Sequence, residues 1–127
     1  MDAMILLAHG ARVAGWAAPF HEIRDRLAAM RPGTPVSLAF LEFIEPDFET
    51  ACGRLVDAGG TRIVVCPLSL GGGGHVAADL PRLFDAARAR WPALSIACAP
   101  TLGEDAGVLQ AIAAACARHA AAPRQGP

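Results

Sequence analysis

Four short apolar runs, each followed by a segment of helical periodicity, constrain this chain more than any other feature. Met4-Ile5-Leu6-Leu7-Ala8 is continuous rather than alternating, which describes a strand buried on both faces, and His9-Gly10 ends it. Phe20, Ile23, Leu27 and Met30 then recur at spacings of three and four, one apolar stripe of a helix stopped by Arg31-Pro32-Gly33. Val36 to Phe43 is the second strand candidate. Pro46 reads as the first residue of a helix carrying Phe48, Cys52, Leu55 and Val56 on one side, with Gly59-Gly60 at its end. The third strand runs from Arg62 to Pro67. A helix opens at His75, turns Leu83, Phe84, Ala87 and Trp91 inward, and stops before Pro92. Leu94 to Ala99 is a fourth strand, Thr101 to Asp105 a loop, and Val108 to Ala121 a closing helix. Fourfold alternation of strand and helix predicts an α/β fold: a four-stranded parallel sheet with helices on both faces and right-handed crossovers. The pattern leaves the strand order open.

The chain has 127 residues and no linker or low-complexity block, so one domain is expected over residues 1–122, followed by a frayed, disordered tail at 123–127. All of its 11 cationic side chains are Arg. The absence of Lys excludes a Walker A phosphate loop, a pyridoxal Schiff base and protein-kinase chemistry. A formal net charge of −1 argues against a general nucleic-acid partner. The bulky apolar runs fall far short of the roughly 20 residues a membrane span needs. No basic region precedes the first run, so no secretory signal is expected and the reading is cytoplasmic. Cys52, Cys66, Cys98 and Cys116 fit no zinc template and read as buried free thiols in a reducing compartment.

In a parallel sheet, ligands bind beyond the carboxyl ends of the strands. There the chain places His9-Gly10-Ala11-Arg12, then Leu41-Glu42-Phe43-Ile44-Glu45-Pro46, then Ser69 and the run Gly71-Gly72-Gly73-Gly74 ahead of His75, and finally Pro100-Thr101. Two histidines and two carboxylates therefore converge on one edge. The glycine run does not follow the dinucleotide pattern, because Val76 or Ala77 stands where its last glycine would be. Its glycines instead clear space for a flat, bulky ligand to approach the backbone. The positive end of a helix dipole disfavours a protonated His75, and a neutral imidazole can bind a metal. His9, ending a buried strand, is expected to be withdrawn from water. Alone, each reads as a hydrogen-bonded structural histidine; together on one edge they point to metal. His21 and His119 fall inside helices and read as surface residues. Glu45, beside Pro46, also suits a helix N-terminus, and Asp79 reads either as a partner of the site or as an early-helix charge.

The motifs His9-Gly10-x-Arg12, Leu41-Glu42-Phe43-x-Glu45-Pro46, and Pro67-Leu68 followed by Gly73-Gly74-His75-Val76-x-x-Asp79-Leu80-Pro81 resemble the small CbiX-type sirohydrochlorin chelatases, class II chelatases related to the ferrochelatases. The resemblance runs over essentially the whole chain. Ala11 stands where Ser is common and Leu80 where Ile is usual; neither is at a ligand position. The resemblance implies a chelatase-like single half-domain that works as a homodimer. It implies insertion of Co2+ into sirohydrochlorin, on the anaerobic route to cobalamin, with release of two protons. Fe2+ or Ni2+ are the alternative substrate metals, and no permanently bound cofactor is expected. His9 and His75 would hold the metal with positions left open for the macrocycle. Glu42 would be a third ligand or a proton acceptor, with Glu45 second, and Arg12 with Gly72, Gly73 and Gly74 would receive the carboxylate-rich substrate. A carrier that binds metal or tetrapyrrole without inserting is the non-enzymatic alternative.

Overall fold

β1 (Asp2–Ala8) runs up the middle of the sheet because its apolar run is continuous: Ile5, Leu6, Leu7 and Ala8 are all buried, two toward each face. The remaining elements of this computed structural model follow in chain order as α1 (Ala18–Met30), β2 (Val36–Phe40), α2 (Phe48–Asp57), β3 (Arg62–Pro67), α3 (His75–Arg90), β4 (Ser95–Cys98), a 3-10 turn (Leu102–Glu104) and α4 (Ala106–Ala121). The structure describes residues 1–71 and 75–121, excepting the side chains of 75–78 and 121; Gly72, Gly73, Gly74, the imidazole of His75 and the expected tail at 123–127 lie outside the described residues.

The strand order is β2-β1-β3-β4, parallel throughout, with Leu6 opposite Leu38, Ile5 opposite Val65 and Ile63 opposite Ile96. Helices cover both faces, as the alternation predicts. On one, Ala3, Ile5, Leu7, Ile63, Val65 and Ile96 meet Phe48, Ala51, Cys52 and Leu55 of α2 and Phe84 and Ala87 of α3. The Phe48 and Phe84 rings tilt together with centroids 5.5 Å apart, a favoured aromatic geometry. On the other, Leu6, Ala8, Val36, Leu38 and Phe40 meet Phe20, Leu27 and Ala28 of α1, with Trp16 closing one end. The expected α1 stripe is thus rotated, since Ile23 and Met30 remain exposed. Among the described residues no helix is long and apolar enough to cross a membrane.

Three of the boundaries that differ from expectation do so for visible local reasons. β2 ends at Phe40 rather than Phe43, because the chain turns back so that the Phe40 N–H donates to the Pro46 carbonyl, 3.0 Å. Pro46 does not open α2; it follows a cis Glu45–Pro46 peptide bond, and Asp47 caps the helix by accepting from the Thr50 N–H at 2.8 Å. α4 starts at Ala106, two residues early, where the Asp105 carboxylate accepts from the Val108 N–H at 3.1 Å. The cysteines also divide. Cys52 is buried, and burial pushes its thiol up to about 12, whereas Cys98 and Cys116 are exposed rather than buried and Cys66 is intermediate. Their elements are as expected, two on strands and two on helices.

Candidate active site

The carboxyl end of β1 delivers His9, and the chain beyond β2 is stitched against it. The Leu41 N–H donates to the Ala8 carbonyl at 3.0 Å and the Glu42 N–H to the His9 carbonyl at 2.9 Å. Gly10 makes this approach possible. Its φ is +98°, and a Cβ there would overlap the Glu42 carbonyl oxygen, so no other residue fits without moving one loop off the other.

The stitching brings two expected residues together: His9 Nε2 lies 3.3 Å from Glu42 Oε2. The side chains are 50% and 55% exposed, so His9 is not withdrawn from water as its strand-end position suggested. An imidazole and a carboxylate held this way present nitrogen and oxygen donors to a cation while leaving open positions around it. Beside them Asp79 of α3 lines the same cavity, of about 180 Å3, together with His9, Leu41 and Glu42. Its carboxylate accepts from Arg82 at 2.6 Å. Of the two readings of Asp79, this placement favours the partner of the site. Position 79 is one turn beyond position 75 in α3, so the helix that begins at His75 leads directly to this cavity.

Arg12 lies with its guanidinium 4.6 Å from the centre of the Phe43 ring. In sequence Phe43 reads as a strand position, and nothing there signals its contact with Arg12. Glu45 lines a second hollow with Glu42, Phe43, Asp47, Thr50 and Arg54, on the α2 side, rather than the cavity that holds His9. His21 and His119 are exposed on α1 and α4. Among the described residues no three His, Cys, Asp or Glu side chains form a cluster able to hold a metal ion.

A doubly wound four-stranded parallel sheet of this order has the architecture of the chelatase-like domains. The chain belongs to the CbiX family, whose model matches residues 3–119. It is 28% identical over 84 residues to a sirohydrochlorin cobaltochelatase of Methanococcus maripaludis, covering 66% of this chain and 58% of the relative. A sirohydrochlorin ferrochelatase of Priestia megaterium is 27% identical over 105 residues, 83% of this chain and 40% of that one. The chain thus spans less than two thirds of the length of these curated relatives. Among solved structures, the CbiX protein of Marinobacter aquaeolei superposes with a TM-score of 0.85 at 25% identity, over 95% of this chain and 96% of the other. The sirohydrochlorin chelatase SirB of Bacillus subtilis, in complex with cobalt, superposes with a TM-score of 0.82 at 29% identity, over 92% of this chain and 50% of SirB.

Proposed function

We propose that this chain is a metallochelatase that inserts Co2+ into sirohydrochlorin and releases two protons. The observation that carries this reading is the His9–Glu42 pair, 3.3 Å apart and open to solvent, standing on the motif residues of a CbiX-family chain. In this reading His9 and His75 hold the incoming metal through neutral imidazole nitrogens. Two such ligands bind a divalent ion without enclosing it, so it can pass to the four pyrrole nitrogens. Glu42 either completes the metal's ligands or accepts a proton as the macrocycle loses two. Arg12 and the backbone of Gly72, Gly73 and Gly74 receive substrate carboxylates, with Glu45 at the rim of the substrate site. The metal is substrate, and no resident cofactor is required.

Archaeal relatives named sirohydrochlorin cobaltochelatase favour cobalt, while the ferrochelatase relative keeps Fe2+ as the alternative. Ni2+ remains a third candidate, since the affinity of nitrogen sites rises from Fe2+ through Co2+ to Ni2+.

We infer that the working unit is a homodimer, and α4 supports this. Its 16 residues contain no acidic side chain, and Leu109 and Ile112 are 49% and 42% exposed. None of the side chains at 106–120 is buried. A helix this apolar is normally covered. A cytoplasmic location is consistent with the reduced cysteines expected of such an enzyme.

The test is a side-by-side insertion assay with Co2+, Fe2+ and Ni2+, read by the change in sirohydrochlorin absorbance. Acceleration over the protein-free reaction, greatest with Co2+, supports the proposal. Binding of metal or tetrapyrrole without acceleration replaces it with a carrier.

A further inference from the structure

One residue beside the site holds a conformation that its side chain opposes. Phe43 has a φ of +69°, and among the described non-glycine residues it alone lies in the left-handed region. The Ile44 N–H donates across it to the Glu42 carbonyl at 2.8 Å, which makes residues 42–44 a γ-turn of the positive-φ form, the rarer and more strained of the two. A bulky residue is a steric outlier there, whereas Gly adopts this conformation freely. The turn accounts for the reversal of the chain after Glu42, but not for an aromatic ring at its apex. The ring finds no core: Phe43 is 56% exposed even with the Arg12 guanidinium stacked 4.6 Å from its centre.

We propose that Phe43 is a substrate-contact residue: it lines the hollow that Glu42 shares with the α2 side, and its ring is a shelf against which the flat macrocycle lies next to Glu42. This rests on the tetrapyrrole reading above. A conjugated, flat substrate rimmed by carboxylates is matched by an aromatic surface and a guanidinium held together. The ring meets the macrocycle by offset stacking, and Arg12, oriented by that ring, meets a carboxylate at the rim. Strain at the apex holds the ring out of the core and toward the ligand, the usual setting in which a strained backbone is retained.

The test uses Phe43→Gly, which removes the ring while favouring the turn, and Phe43→Tyr, which keeps an aromatic face. Titrations with sirohydrochlorin alone and with Co2+ alone are compared with wild type. The shelf predicts that Phe43→Gly weakens sirohydrochlorin binding about tenfold, that Phe43→Tyr stays close to wild type, and that Co2+ affinity is unchanged in both. Equal sirohydrochlorin binding by wild type and Phe43→Gly overturns the shelf and leaves the chelatase reading standing. Parallel loss of Co2+ affinity also overturns it, because the ring would then act only through the turn. Failure of wild type itself to bind sirohydrochlorin overturns the functional reading, and the shelf with it.

Discussion

Replacing Gly10 by Ala tests whether the contact between the β1 and β2 loops builds the site. Two costs add at this position. At a φ of +98° an L side chain costs roughly 1–2 kcal/mol. The new Cβ also overlaps the Glu42 carbonyl oxygen, which is backbone and cannot swing aside, so the loops must part at roughly 1–3 kcal/mol more. The total is about 3 kcal/mol, or a fall in thermal midpoint of roughly 10 °C for a chain of this size. Gly33→Ala is the internal control, because its φ is +90° but nothing lies within 4 Å of the added Cβ. It should lose only the conformational part, roughly 5 °C. Circular dichroism melts give both numbers. Because the displaced carbonyl belongs to Glu42, Gly10→Ala should also lose metal insertion at temperatures where it is still folded, and Gly33→Ala should not. Equal melting shifts for the two variants, or full insertion activity in Gly10→Ala, would refute the reasoning.

Asp47→Ala removes the α2 cap and should cost about 1 kcal/mol in denaturant melts. The Thr50 hydrogen bonds hold the Asp47 carboxyl below its ordinary 3.8, so its contribution is complete above that value and is lost as pH falls through the lower folded value; the variant should lack this acid-side slope. In the native protein a maleimide should label the exposed Cys98 and spare Cys52, whose thiol burial pushes up to about 12; mass mapping of native Cys52 adducts would contradict its burial. Ile112→Glu should convert a dimer to a monomer in light scattering with the folded circular dichroism spectrum retained, because the side chain is 42% exposed on α4; a dimer that persists would remove α4 from the interface.

What was legible in the sequence follows from how local each signal is. The run Met4 to Ala8 declares a doubly buried central strand by itself, and the α2 and α3 stripes identify their buried sides correctly down to Cys52 and Phe84. Residues 41–45 depart from the expected strand because Leu41, Phe43 and Ile44 have strand-like side chains, while the turn they form is dictated by backbone hydrogen bonds to His9 and across Phe43. Pro46 departs from the expected helix start for a related reason, since Pro suits both a helix start and a cis turn, and the cap belongs to Asp47. His9 and Glu42 come within 3.3 Å because both follow strand ends, where topology alone makes neighbours. The alliances of Asp79 with that pair and of Arg12 with Phe43 run through space between separate elements, and no spacing in the chain announces them.

The central claim is that His9 presents the metal for insertion. Its most direct test is the rate of Co2+ insertion into sirohydrochlorin by His9→Ala at saturating metal, alongside its melting temperature. The half-exposed side chain contributes little to the fold, so the melting temperature should stay within about 2 °C of wild type while insertion falls to the protein-free rate. A folded His9→Ala protein that inserts cobalt at the wild-type rate would contradict the account.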